Sequence, residues 1–377
     1  MPVFGAVLKV ILTPTILRSS PTILSCDLTL IMGELFVSLV IKQPPVTVTK
    51  KERTNMLPTP MLNTIIIPVI RPDLIGRCLQ TLYEYTEPNF YVYIIDQTVQ
   101  GLDATALRNE YRNLMVIRTP RSERYHTGNL GFAKATNLGI SLVQTPYFMM
   151  CNDDIEFIHP KWWQGVLDTF EQVEKQTPER PAVIVNPSSF KLPDWSIGKA
   201  KGEDHYIIPY KEQYTDDDWD FLINEEHYIN EHLTIMPGTV IDGVTMYASV
   251  CHTQRFLEIG YLDEKFFPGS GEDYDYSCRA SMVGYRCVGT TLSYLFHHWS
   301  ATFQALHDEQ ETKSLQMPEL NWNKTNEKWG PGFDIWGYKC PQCGANMRCP
   351  KEDKTIAHCP KHPEVTYQMP ESTISPL

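Results

Sequence analysis

Several short runs in this 377-residue chain carry residue types and spacings that do chemistry. Cys151-Asn152-Asp153-Asp154 closes an apolar stretch. Adjacent carboxylates at a strand end supply oxygen ligands for a hard divalent ion, Mn or Mg, and such an ion neutralises a diphosphate. The same pair also serves as turn or cap residues. Gly271-Glu272-Asp273-Tyr274-Asp275 places acids at a helix start, where they cap it. A positioned carboxylate there can also take a proton from a hydroxyl. Asp273 is the candidate base, with Glu272 shaping an acceptor pocket and Arg279 pairing with one of these acids. His297-His298 follows another apolar run, and a neutral imidazole is a common Mn ligand. Neighbours on a strand face opposite ways, so only one of the two can point at a site.

Two further runs add to the inventory. Asn129-Leu130-Gly131-Phe132-Ala133-Lys134 through Asn137-Leu138-Gly139 is a glycine-bearing turn entering a helix, which offers backbone donors to a phosphate or ribose. Its glycine spacing does not fit the dinucleotide fingerprint. Arg121, Arg124 and Lys134 give local positive charge. In the tail, Cys340-Pro341-Gln342-Cys343-Gly344 and Cys359-Pro360-Lys361-His362 are two knuckles, with fifteen residues between Cys343 and Cys359. That spacing suits tetrahedral structural zinc, with Cys349 as an alternative to His362. Such an ion would fold a short segment that has little core of its own.

The elements that must hold these residues are legible as an alternation. Thr64 to Val69, Phe90 to Ile95, Leu114 to Ile117 and Tyr147 to Met150 read as strands. Pro72 to Tyr85 and Phe132 to Leu142 read as helices. Strand and helix repeated in this order predict an α/β fold, a Rossmann-like, mostly parallel sheet with helices on both faces. Ligands bind such sheets beyond the carboxyl ends of the strands, where Asp96 and Asp154 lie. Pro181 to Asn230 reads as irregular, covering loops. Thr239 to Ser249 reads as a strand, Thr253 to Ile259 and Gly271 to Val283 as helices, and Tyr285 to Val288 and Leu292 to Phe296 as closing strands.

Composition bounds the rest. The net charge of −12 argues against a broad nucleic-acid partner. Four of the ten cysteines crowd into the tail, and the other six are scattered, mostly in apolar stretches, which predicts reduced core residues and a cytoplasmic, reducing compartment. Thr22 to Ile41 is apolar but interrupted by Asp27 and Glu34, short of an uncharged spanning helix. Residues 1–60 are therefore expected to be a poorly structured extension.

Taken in order, the blocks resemble the large inverting glycosyltransferase family two, whose nucleotide-sugar fold is called GT-A. The resemblance covers roughly Asn63 to Phe303. It rests on Thr64-Ile65-Ile66-Ile67-Pro68, Ile94-Ile95-Asp96, the Asn129 to Gly139 run, Asn152-Asp153-Asp154, Gly271-Glu272-Asp273 with Arg279, and His297-His298. It implies donor contacts at Pro68, Asp96, Asn129, Lys134 and Asp153, and an acceptor contact at Glu272. It implies Mn or Mg at Asp154 and His297, or His298, and a base at Asp273. Asn152 stands where the family's metal motif begins with Asp. Near the C-terminus the chain resembles zinc-ribbon proteins.

The expected organisation is an extension (1–60), a GT-A domain (61–310), a linker (311–335), a ribbon (336–365) and a tail (366–377). The expected partners are a nucleotide-sugar donor and a glycan, lipid-linked or protein acceptor, with room for peripheral membrane contact and a protein partner at the ribbon. The rival readings are a sugar nucleotidyltransferase and a non-catalytic carbohydrate-binding or scaffold protein.

Overall fold

The run Thr64-Ile65-Ile66-Ile67 is wholly buried and forms the middle of a sheet covered on both faces. The computed structural model describes residues 63–87, 89–120, 129–189, 211–224, 227–230, 233–235, 238, 240–298, 317–330, 333–334 and 337–374. The N-terminal extension, Arg121, Arg124 and most of the 188–210 loop lie outside the described residues.

In chain order the first half forms β1 (Asn63–Val69), α1 (Ile75–Tyr85), β2 (Phe90–Asp96), α2 (Ala104–Glu110), β3 (Leu114–Arg118), α3 (Phe132–Ile140), β4 (Tyr147–Cys151), β5 (Ile155–Glu156), α4 (Trp162–Gln176) and β6 (Ala182–Ser189). The second half forms α5 (Asp216–Asn224), β7 (His227–Asn230), β8 (Leu233–Ile235), β9 (Val240–Asp242), β10 (Ala248–His252), α6 (Thr253–Ile259), α7 (Glu272–Met282) and β11 (Arg286–His297). It closes with α8 (Met317–Trp329), β12 (Phe333–Asp334), β13 (Gly337–Tyr338), β14 (Ile356–His358) and β15 (Thr366–Gln368).

The main sheet runs β3-β2-β1-β4-β10-β6-β11-β5, with β9 beside β11. Alternate residues of β1 serve its two faces. Ile65, Ile67 and Val69 pack with Cys78, Leu79 and Leu82 of α1 and Trp162, Val166 and Phe170 of α4. Ile66 packs on the other side with Ala133 and Ala135 of α3, Phe256 of α6 and Tyr276 of α7. Gly139 makes this possible, because a Cβ there would collide with the Ile66 side chain. Helices on both faces of an α/β sheet are thus as expected.

Direction and extent differ from expectation in four places. β10 runs antiparallel between β4 and β6, so the sheet is mixed. Apolar periodicity reports that a strand exists and says nothing of its direction. Pro181 to Asn230 is not all loop: β6 is a buried strand, and Asp216–Asn224 is a helix. The acidic run is a reciprocal cap, in which Asp218 N–H donates to Thr215 Oγ1 at 3.2 Å and Thr215 N–H to Asp218 Oδ2 at 2.9 Å. Thr239 to Ser249 is not one strand, because a turn at Met246 and Tyr247 separates β9 from β10. The two closing strands are one strand, β11, whose pairing with β6 shifts between Thr290 and Tyr294.

The segment expected as a linker contains α8, and residues 52–377 form a single compact unit. Buried Cys278 and Met282 of α7 pack with Trp329, Cys340, Met347, Ala357 and Cys359. No helix among the described residues is long and apolar enough to cross a membrane.

Candidate active site

Asp153 and Asp154 occupy the turn that leaves β4, at the carboxyl end of a central strand. The chain then forms β5, which pairs with the far end of β11 through Ile155 opposite His297 and Glu156 opposite Phe296. This short pairing delivers His297 to Asp154 and His298 to Glu156. His297 Nε2 lies 3.1 Å from Asp154 Oδ1, and both side chains are at least 95% buried. The two atoms face each other without hydrogen-bond alignment, and Asp154 Oδ1 accepts no hydrogen bond among the described residues. Two facing ligand atoms of this kind, one carboxylate and one imidazole, suit a divalent ion such as Mn. Tyr247 stacks on the His297 ring at 4.8 Å and donates its hydroxyl to Pro187 O at 2.6 Å, which fixes the imidazole in place.

His298 turns elsewhere, as strand alternation requires. Its Nε2 is 2.6 Å from Glu156 Oε1, while Arg77 Nε donates to Glu156 Oε2 at 2.9 Å. Burial raises the Glu156 carboxyl, but His298 and Arg77 outweigh it and hold the group below its usual value.

Asp153 does not turn toward open space. Its Oδ2 accepts the backbone N–H groups of Ile70 and Arg71 at 3.3 and 3.4 Å, tying the loop after β1 to the acidic turn. Burial, and then the charge of Asp154, push its pKa up to about 7. Asp96 is also engaged within the fold. Its carboxylate accepts from Thr98 N and Oγ1 at 3.0 and 2.7 Å and from Leu102 N at 2.9 Å, and it is 1% exposed. It shapes the turn after β2.

Pro68 is buried within β1, in register with Ile95. Asn129 Oδ1 accepts Gly131 N–H at 2.8 Å, and Gly131 adopts a positive φ of 80° to start α3. Lys134 is half-buried in the first turn of that helix. Asn137 is a clamp: its amide bonds Leu262 O and N and Glu264 Oε1, pinning the loop that leads to α7. Gln97 was not anticipated from the sequence. Its Oε1 accepts Leu130 N–H at 2.7 Å, while its buried Nε2 has no partner among the described residues. It therefore joins the end of β2 to the glycine turn and leaves one donor available. No motif announces it, apart from its position directly after Asp96.

The second acidic group sits at the start of α7. Gly271 is left-handed (φ 98°) and begins the helix, a conformation that favours glycine. Glu272 is 6% exposed, and its Oε2 has no partner among the described residues. Burial, then the neighbouring Asp273, push Glu272 up to about 8. Asp273 is more open, and burial raises it too. Carboxyls held above their usual range are suited to exchanging a proton near neutral pH. Arg279 pairs with Asp275, not with either of these two, at 3.0 Å.

In the tail, one sulfur from each of Cys340, Cys343 and Cys359 lies within 4.8 Å of the others. Gly344 N–H donates to Cys340 O at 2.8 Å, with φ at 71°, closing the first knuckle. The second knuckle aims Lys361 and His362 N–H groups at Cys359 Sγ, at 3.4 and 3.3 Å. Burial raises the Cys359 thiol, but these N–H groups and the neighbouring thiols outweigh it and lower its pKa. Three converging sulfurs, one of them disposed toward thiolate, fit zinc. Neither candidate for the fourth position joins them. The His362 ring lies 3.6 Å from Glu364, and Cys349 Sγ is 3.6 Å from Lys354 O.

Residues 64–227 match the sequence model of the family described as Glycosyl transferase family 2. No curated protein matches the chain. Among solved structures, GalNAc-T7 with UDP, GalNAc and Mn2+ is similar at 12% identity and a TM-score of 0.47, over 73% of this chain and 49% of that one. The chain thus spans about half the length of that protein. TarS 1-349 of S. aureus is similar at 15% identity and 0.36, over 71% and 72%. The mannosyltransferase PcManGT from Pyrobaculum calidifontis, with GDP-Man and Mn2+, is similar at 12% and 0.39, over 72% and 71%.

Proposed function

We propose that the chain transfers a glycosyl group from a nucleoside-diphosphate sugar to an acceptor hydroxyl, with inversion at the anomeric carbon. The observation that carries this reading is the buried Asp154–His297 pair at the strand ends, whose Asp154 lies in the segment that matches a glycosyltransferase family. Asp154 and His297 would hold Mn or Mg, and the ion supplies neutralisation of the diphosphate as it departs. Asp153 keeps the β1 loop in place beside them. Asp273 takes the acceptor's proton, the freed oxygen forms a bond to the anomeric carbon, and the carbon–oxygen bond to the diphosphate breaks. Glu272 shapes the acceptor side. The cysteine unit holds zinc for structure.

Incubation with a panel of nucleotide sugars and manganese tests the reading. Release of nucleoside diphosphate supports it. Pyrophosphate release would point to sugar-nucleotide synthesis, and silence with every donor to a binding or scaffold role.

A further inference from the structure

Lys328, on the last turn of α8, is the most informative buried charge outside the site. Its side chain is 4% exposed, and its Nζ lies 2.6 Å from Asp263 Oδ2 and 2.7 Å from Asp275 Oδ1. Asp275 is completely buried and also binds Arg279 Nε at 3.0 Å and Trp329 Nε1 at 2.9 Å. Burial raises the Asp275 carboxyl, but Arg279 and Lys328 outweigh it and hold it below its usual value. Two acids and two bases thus balance in one buried cluster. Such a cluster tolerates little displacement, because a buried charge without its partner is costly.

The cluster's position gives it a role. Asp275 lies two residues after Asp273, in the first turn of α7. Asp263 belongs to the loop that leads to that helix and is held by the C-terminal segment, since Thr373 N–H donates to its Oδ1 at 3.1 Å. Glu264 N–H donates to Thr373 O at 2.9 Å, closing the clip. The start of α7 also leans on α8, where Asn321 Nδ2 donates to Gly269 O at 2.6 Å.

We infer that Lys328 is a positioning residue for the acids at the start of α7, so that α8 and the C-terminal clip complete the acceptor side of the site. This rests on the proposed glycosyl transfer for its kinetic meaning, but its structural core can be read without it.

The test uses full-length Lys328→Met and Thr373→Pro. The second variant removes the N–H that Asp263 accepts, together with the threonine hydroxyl, and fixes the local φ. Hydrogen exchange at the Glu272 to Tyr276 amides should quicken in both variants. In wild type, Mn with UDP or GDP gives a binding constant by calorimetry, and donor hydrolysis gives kcat. Binding should stay within about twofold while kcat falls roughly tenfold or more in Lys328→Met and less in Thr373→Pro, as expected for a small misplacement of a reacting group. Unchanged exchange, unchanged kcat in folded variants, or binding that falls in step with kcat would overturn the inference. Should Lys328→Met not fold, Thr373→Pro decides. A wild type that neither binds nor hydrolyses any donor refutes the functional reading instead, and exchange alone then judges Lys328.

Discussion

His297 Nε2 and Asp154 Oδ1 stand 3.1 Å apart at the ends of two strands, β4 and β11, whose ends are brought together by the two-residue β5 and by a hydrogen bond from His298 N–H to Asp154 O. The pair depends on that short antiparallel contact, which converts 143 residues of sequence separation into a facing couple of ligand atoms. Its chemistry leads to the first prediction. Asp154→Ala and His297→Ala should each lose divalent-ion-dependent nucleotide binding, and turnover should fall by about 100-fold or more, the scale of several kcal/mol of charge stabilisation. His298→Ala should spare ion binding, because that ring is held by Glu156. Calorimetry with Mn and nucleoside diphosphate separates the two histidines, and equal losses would refute the distinction.

Asp273→Asn should lower transfer by roughly 10²–10⁴-fold, the range for loss of a general base. Donor binding should persist, because Asp273 sits at the start of α7 and the proposed ion ligand Asp154 in the turn after β4. Undiminished transfer would remove Asp273 from that role.

Turnover should show an acid limb above the ordinary carboxylate range. Glu272 is pushed up to about 8 by burial and Asp273, and Asp273 is itself raised by burial. A base must be ionised, so activity falls as pH drops through the apparent value of the pair. Glu272→Gln removes one negative charge and should move this limb to lower pH. Stability runs the other way. A carboxyl raised on folding contributes fully below its unfolded value, 4.5 for Glu272, and that contribution is lost as pH rises to about 8. Unfolding of wild type and Glu272→Gln across this window checks the sign.

Gly139→Ala should destabilise the fold by about 1–3 kcal/mol, since its methyl would enter the Ile66 side chain between α3 and β1. Denaturant midpoints measure this, and an unchanged midpoint would mean the interface yields freely.

The purified chain should carry one zinc. Cys343→Ser should lose it and open the C-terminal unit to proteolysis, because Cys340 and Cys359, which would share the ion, sit buried in the cluster that joins this unit to α7. Metal analysis and limited digestion read both outcomes.

The sequence made the first four strands, α1 and α3 legible, because their apolar runs are strongly periodic. It also pointed to Asp154 and His297, through the order of the blocks and the family they resemble, since by type alone acids after a strand are commonly turn residues. Side-chain direction was not legible. The sequence names Asp153 and Asp96 as acids at strand ends but does not show that Asp153 Oδ2 and the Asp96 carboxylate accept backbone amides of neighbouring loops. The reversed strand β10 was hidden because periodicity has no direction. The Lys328–Asp275 cluster was hidden because its partners lie 53 residues apart and share no motif.

The central claim is ion-dependent transfer at Asp154. The most direct measurement is nucleoside-diphosphate release from a panel of nucleotide sugars, with manganese or with chelator, for wild type and Asp154→Ala. At least one donor should turn over only with the ion and only in wild type. Equal turnover in Asp154→Ala, or in the presence of chelator, would contradict the account.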